Sequence, residues 1–299
     1  MKYIETVCAI CGSLGNTQEI YPENLDSVST SPEVFSARRL PDRRFYRWVK
    51  CLKCGLYISD PVLDINLSDL YTKSTFDYGA EVNGLKKTYS LLVKKALLPG
   101  KPKGGILEIG GGNGFFLEEA LKMGFSSIYG VEPSQSAVDS ALPNVRKFMR
   151  VSMFDDKSVS DGSADVVVMF HTLDHLERPL KILKVALKKL RKGGTIVIAV
   201  HNVRAFSALV LKSRSPTFDI EHTYLFSRET LKNCLEKAGY VDIKVSSYSN
   251  YYSLAYLAHL LPLPRRTKEK LLSSTFRRFL SKIKVWIPLG NISASGTKP

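Results

Sequence analysis

The sequence predicts an α/β fold: a parallel, doubly wound sheet of seven strands, with a small N-terminal ribbon and a helical insertion before the last strand. Three observations carry this expectation. From residue 105 onward, apolar runs of strand length alternate with segments of helical period, which is the pattern of βαβ units. Four glycines between 110 and 114 sit at the first strand-to-helix junction, the edge where open α/β sheets bind ligands. Two Cys-x-x-Cys-Gly repeats near the N-terminus mark the ribbon.

The ribbon spans residues 1–60. Cys8, Cys11 and Gly12, then Cys51, Cys54 and Gly55, form two matched knuckles. Each holds two thiols on a turn, and the trailing glycine admits the left-handed backbone the turn needs. Four thiolates in two such pairs fit tetrahedral Zn²⁺ and leave no open position, so the expected role is structural. The 39 residues between Cys11 and Cys51 call for a β-hairpin or loop. The fifth cysteine, Cys234, shares a helical pattern with Leu231, Leu235 and Ala238 and reads as core.

Residues 61–102 read as a helical linker or substrate cap. Rings gather from Tyr71 to Tyr78, and residues 84–98 have an amphipathic period that Pro99 and Gly100 break. Residues 102–105 are the hinge into the main domain, 103–299. There the strands are expected at 105–109, 127–132, 147–152, 164–170, 194–200 and 240–247, with a last antiparallel strand over 290–296. Helices are expected at 114–123, 134–141, 179–191 and 228–238. Lys192, Gly193 and Gly194 are expected to close the third of these. An insertion fills about 251–287.

At 299 residues, with 44% hydrophobic and 24% charged residues, the chain can bury one large core and a small appendage. No run of 18 apolar residues occurs, which excludes a membrane-spanning helix of ordinary length. The N-terminal residues lack an apolar signal core, which predicts a cytoplasmic protein with reduced cysteines. The net charge of +15 points to an anionic partner.

Two cofactors compete for the glycine turn. A dinucleotide site needs glycines spaced G-x-G-x-x-G or A. Gly110 and Gly112 supply the first pair, but Phe115 stands in the third place, where a tiny residue is needed. Glu132 ends the second strand 24 residues after Glu108, about where a βαβ unit places an acceptor for ribose hydroxyls.

The set Glu108-x-Gly110-x-Gly112-x-Gly114 resembles motif I of the class I S-adenosylmethionine-dependent methyltransferases. Further pieces are similar to the branch of that family with an N-terminal zinc ribbon: the paired knuckles, Leu56 with Asp60 and Pro61, and Leu70 with Tyr71. Phe76 with Tyr78, Val131-Glu132-Pro133-Ser134, and the run from Phe170 to Leu176 continue the series. That run resembles the family's H-x-L-E-H-L segment, with Asp174 in place of glutamate. Glu221, His222, Phe226 and Ser227, and then the ending from Pro288, complete it. The resemblance implies a seven-stranded, Rossmann-like methyltransferase sheet that binds S-adenosylmethionine. It places Glu108 by the cofactor's amino group and Glu132 on its ribose, with Gly110, Gly112, Asn113, Gly114, Pro133, Phe170 and His171 around it. Relatives often carry an acid for adenine where Met153 and Phe154 stand, and Asp155 and Asp156 are shifted by two. An apolar adenine contact by Phe154 or Met153 is therefore expected. His201 stands where relatives often have proline.

A sulfonium methyl is already activated, so such a protein must align the nucleophile and exclude water, which can contribute about 7–11 kcal/mol. A hydroxyl or carbon acid also needs a base. Four of the five histidines, His171, His175, His201 and His222, fall at or beyond expected carboxyl ends of strands, and imidazole titrates near neutral pH. His171 and His222 are the leading candidates for the base. His201 is a third, His175 reads as structural, and Tyr224 is a candidate hydrogen-bonding partner.

Between Leu254 and the C-terminus stand nine Lys or Arg and one acid, Glu269. Leu272, Phe276, Phe279, Leu280, Ile283 and Ile287 share one helical face. Lys270, Arg277, Arg278, Lys282 and Lys284 share the other. A core-packed helix with solvated charges, an interfacial helix on an anionic membrane, and a nucleic-acid contact all fit that pattern.

The expected function is methyl transfer to a small-molecule acceptor, a nucleotide sugar or a lipid-linked glycan precursor of polysaccharide biosynthesis. An RNA methyltransferase is the main alternative. Rings interleaved with basic residues, the mark of RNA readers, occur from Arg43 to Lys50. A catalytically silent binding protein is the third reading, and the intact Glu108, glycine loop and Glu132 argue against it.

Overall fold

The N-terminal ribbon is part of the main body rather than a detached module. Thr17–Tyr21 (β1) pairs antiparallel with Trp48–Cys51 (β2), which pairs with Tyr57–Ser59 (β3). The fourth strand of this sheet comes from far along the chain. Tyr224–Leu225 faces β3, with Tyr224 opposite Ile58. In the computed structural model, residues 2–25, 37–38, 44–77, 79–97, 104–260 and 274–299 are described. Tyr78 and Pro99 to Lys103, expected in the linker and hinge, lie outside them, as does Arg43.

Val82–Ala96 (α1) forms because Leu85, Tyr89, Leu92 and Val93 recur at helical spacing, and all four are buried. The main sheet follows. Gly105–Ile109 (β4) leads into helix Phe115–Lys122 (α2), then Ser127–Glu132 (β5), Met149–Val151 (β6) and Ala164–Phe170 (β7). Pro179–Lys189 (α3), Leu190–His201 (β8), Phe206–Leu211 (α4) and Arg228–Ala238 (α5) come next, with Tyr224–Leu225 (β9) ahead of α5. Val241–Ser253 (β10), Leu254–Leu260 (α6), Ser274–Lys282 (α7) and Lys284–Thr297 (β11) complete the chain. The strand order is β6-β5-β4-β7-β8-β11-β10. The first five are parallel, and β11 runs antiparallel to both of its neighbours. β4 pairs with β5 on one side and β7 on the other, so the order reverses there and a crevice opens at the carboxyl edge.

Three expectations shift. The helix expected over 134–141 is two pieces, Gln135–Asp139 and Pro143–Arg146. Pro143 drives Leu142 into extended backbone. Gly193 and Gly194 do not cap a helix, since α3 ends at Lys189. They lie in a bulge of β8, where the ladder to β7 jumps from Leu190 to Thr195 and Gly193 takes φ +71°. Finally, β10 and β11 form a hairpin out to the Ser253–Lys284 pair, so the insertion narrows to residues 254–283. Of its expected faces, Lys270 and Leu272 lie outside the described residues, while Lys284 and Ile287 belong to β11.

One core joins ribbon and sheet. Cys8, Ile10, Val49, Leu56 and Ile58 are buried in the same apolar cluster as Ile196, Ile198, Phe226, Leu231 and Leu235. Cys234 sits in that cluster, and burial pushes its thiol up to about 12. Phe45 and Trp48 pack with Phe218 and Leu225 in a further cluster. The rings between Arg43 and Lys50 are therefore core residues and are not available to stack on bases.

Candidate active site and cysteine centre

The ends of β4, β5, β7 and β8 surround a cavity of about 640 Å³. Gly110 and Gly112 form one wall, with φ of +76° and +52°. A Cβ on Gly110 would run into Thr172 Oγ1, so only glycine lets this turn lie against the loop after β7. Gly114 is placed differently. It opens α2 in the left-handed conformation, and a Cβ there would meet Val145 and Met149 at 2.7 and 2.8 Å. Asn113, Gly114 and Glu108 are not among the residues that line the cavity. Gly114 is there for helix packing.

Glu132 lines the cavity and holds its floor in shape. One carboxylate oxygen accepts from Gly112 N at 2.8 Å, the other from Ser134 N at 3.0 Å. Glu108 lies behind the turn, 3% exposed, with Oε2 lacking a hydrogen-bond partner. Burial raises both carboxyls, and Glu132 raises Glu108 further. A buried carboxylate oxygen without a donor suits a cationic ligand. Pro133, Met153, Phe154 and Phe170 also line the cavity. Asp155 spends its carboxylate on its own turn, accepting from Lys157 N and Ser158 Oγ. The apolar pair Met153 and Phe154 is thus what remains to face a flat ring.

The histidines converge. His171, His175, His201 and His222 all line the cavity, with neighbouring rings 4.6–4.9 Å apart in the order His171, His201, His222, His175. At their centre is Asp174, fully buried in the turn after β7. His201 Nδ1 lies 2.9 Å from Asp174 Oδ2. A carboxylate can only accept, so Nδ1 carries a proton, and in the neutral ring the lone pair is on Nε2. Burial alone would raise Asp174, but the His201 hydrogen bond holds its carboxyl below the usual carboxylate range. Burial pushes His222 down to about 3 and lowers His175. His171 has φ +51°, rare for a side chain of its size, and its Nε2 sits 3.1 Å from Tyr248 Oη. His222 Nδ1 donates to the Thr217 carbonyl at 2.9 Å, and Tyr71 Oη lies 3.3 Å from His175 Nδ1.

Tyr224 departs from its expected role. It is buried outside this cavity, its hydroxyl 2.9 Å from Val7 O and 3.2 Å from Glu177 O. It ties ribbon to sheet and does not reach the reacting centre. Sequence reasoning missed Asp174 as a site residue. The available signal was its place between His171 and His175 just past an apolar strand.

At the other end, Cys8, Cys11, Cys51 and Cys54 bring four sulfurs together. Cys8 Sγ lies 3.3 Å from Cys54 Sγ, and Cys11 Sγ 3.5 Å from Cys51 Sγ. Tetrahedral zinc with bonds of ~2.3 Å spaces its sulfurs by about 3.8 Å, so a small expansion admits the ion. The knuckles match: Gly12 N donates to Cys8 O and Gly55 N to Cys51 O, each at 2.9 Å. Sharing a proton with Cys54 lowers the Cys8 thiol to about 5.

The family described as "Methyltransferase domain" matches residues 83–245. The chain belongs to this methyltransferase family. The match takes in the glycine turn, Glu132, Asp174 and all four clustered histidines. Among curated relatives, the tRNA U34 carboxymethyltransferase of Vibrio cholerae is 25% identical over 147 residues, 47% of this chain and 46% of that protein. The ribosomal protein L11 methyltransferase of Thermosipho melanesiensis is 29% identical over 150 residues, 48% and 55% of the two chains. The chain thus spans about half the length of the curated relatives it matches. Among solved structures, phosphoethanolamine N-methyltransferase 2 of Haemonchus contortus, in complex with S-adenosyl-L-methionine, aligns at a TM-score of 0.50 and 15% identity, covering 86% of this chain and 68% of that one. A methyltransferase of Archaeoglobus fulgidus aligns at 0.49 and 22%, covering 74% and 95%. The likeness to the Haemonchus enzyme shows the fold alone. The cavity lining is compatible with S-adenosylmethionine: Glu132 offers a carboxylate and Met153 with Phe154 apolar faces, while Glu108 lies buried behind the glycine turn. Among the described residues, no helix is long and apolar enough to cross a membrane.

Proposed function

We propose that the protein methylates a small-molecule acceptor, a nucleotide-linked or lipid-linked sugar, with S-adenosylmethionine as donor and His201 as the base. The observation that carries this is the Asp174–His201 pair, which faces the same cavity as the glycine turn and Glu132. Bound there, S-adenosylmethionine supplies an activated methyl group. Glu132 takes the ribose hydroxyls, Glu108 stands by the amino group, and Phe154 and Met153 cover the adenine. Asp174 fixes the ring of His201, so that Nε2 can accept the proton an acceptor hydroxyl or carbon acid loses. Such a base contributes typically about 10²–10⁴-fold. His171, His175 and His222 shape the same wall. A second cavity of about 520 Å³ lies between ribbon and sheet and shares Leu67, Arg178, Glu221 and His222 with the first, which gives the rest of the acceptor a place.

Zinc on the four cysteines serves as a structural clasp. The helix α7 supports a lipid-linked acceptor made at the cytoplasmic face of an anionic membrane. Phe276 and Phe279 are 43% and 58% exposed, and Arg277, Arg278 and Lys282 are exposed around them. A helix packed on the core would hide its rings.

A second reading, methylation of RNA, draws on the net charge of +15 and on relatives described as acting on tRNA. The buried rings at 45–48 count against it. Labelled S-adenosylmethionine offered with nucleotide sugars, lipid-linked sugars and RNA decides the matter. Label in a sugar supports the proposal, and label in RNA alone would overturn it.

A further inference from the structure

The buried cluster holds more carboxylate than the base needs. Asp174 uses Oδ2 on His201, while Oδ1 is buried with no hydrogen-bond partner. His175 Nε2 faces Oδ1 at 3.9 Å, too long for a hydrogen bond. His222 is the third neighbour, and Asp174, His175 and His222 each bring one ligand atom within 4.8 Å of the others. The tautomer of His222 is fixed. Its Nδ1–H is given to the Thr217 carbonyl at 2.9 Å, so the lone pair sits on Nε2. A ring N–H held by a backbone carbonyl is the usual support of a metal-ligating histidine.

We propose that Asp174 Oδ1, His175 and His222 form a second metal site, for a divalent ion of the zinc class. Two imidazoles and one carboxylate make a three-ligand set that leaves a fourth position open. Ligands of such an ion stand about 3.3 Å apart at bonds of ~2.0–2.1 Å, so the three groups, now within 4.8 Å of one another with His175 Nε2 3.9 Å from Oδ1, would draw together on the ion. The open position faces the cavity, since His175 and His222 both line it. It suits an oxygen of the acceptor, a hydroxyl or a carbonyl. Asp174 thereby serves two neighbours, one oxygen orienting His201 and the other holding the ion. The site differs from the cysteine centre in donor type, and the inference rests on the proposed function only for the identity of the oxygen.

Metal content tests it without any turnover. Full-length protein is loaded with zinc, desalted and assayed for metal, alongside Asp174→Asn and His222→Ala. Binding of S-adenosylhomocysteine shows that each variant is folded. We expect about two zinc equivalents per chain for the parent and about one for each variant. Cobalt loading separates the centres, because thiolate-to-cobalt absorption reports the cysteines alone. That absorption should be unchanged in both variants, while the remaining cobalt signal disappears. Equal metal content in parent and variants overturns the proposal, whatever the methyl-transfer assays show. So does a parent whose cobalt is all bound to thiolate.

Discussion

His201 donates from Nδ1 to Asp174 Oδ2 at 2.9 Å, across 27 residues of sequence and at the ends of adjacent strands. The pair turns an imidazole that could rotate into one with a fixed lone pair.

Removing that lone pair should slow chemistry without loosening the cofactor. His201→Ala is expected to lower kcat about 10²–10⁴-fold, with the affinity for S-adenosylhomocysteine within about twofold of the parent. Single-turnover rates and calorimetry give the two numbers. A variant that loses affinity and keeps its rate would move His201 out of the base role.

Glu132→Ala should do the reverse. It deletes an acceptor of two backbone N–H bonds beside the glycine turn and, in the proposed function, the acceptor for ribose. Each charge-assisted bond contributes about 1.5–3 kcal/mol, so affinity for S-adenosylmethionine should fall by at least about tenfold. Tight NAD binding by the parent protein would contradict the cofactor assignment.

Gly110→Ala probes the turn itself. The new Cβ meets Thr172, and φ +76° strains any side chain. A loss of about 1–3 kcal/mol in unfolding free energy is expected, with cofactor affinity falling alongside. Gly124→Ala, at φ +91° with open space around it, should show the strain alone and leave affinity intact.

Anionic vesicles should carry the protein down on centrifugation, and neutral ones should not. Each basic side chain near acidic lipid contributes about 1 kcal/mol, screened by salt. Reversing Arg277, Arg278 and Lys282 to Glu should return the protein to the supernatant. Equal recovery with both vesicle types at low salt would remove the membrane from the proposed function.

The sheet was legible because its central strands are apolar runs, two of them closed by a glycine or an acid. β4 with Gly110 and β5 with Glu132 show this most plainly. The hairpin of β10 and β11 was not, because its outer residues, such as Asn250 and Tyr251, alternate no more clearly than a loop and pair only with one another. In the site, glycines and acids announced themselves through spacing. The histidine cluster did not, since His175 and His222 meet only after the chain has passed through α3, β8 and α4. Tyr224 was misread for the same reason. Nothing local to it tells that Val7, 217 residues away, supplies a partner.

The segment around His222 is sewn on both sides. Thr223 N donates to Asp174 O, and Ser59 N donates to Thr223 O, so one residue joins the catalytic turn to the ribbon. Lys237 Nζ adds a bond to the Ile10 carbonyl beside the first knuckle. Loss of the proposed zinc would then be felt beyond the ribbon. Slackening the cysteine clasp frees β3, and with it the backbone that presents His222. Methyl transfer should fade with zinc supply before the sheet melts, which makes the ribbon a rheostat wired to the active-site wall. Cys51→Ser with Cys54→Ser should therefore lower kcat at temperatures where the far-ultraviolet circular dichroism is still native. If rate and fold fall together, the clasp is only a staple.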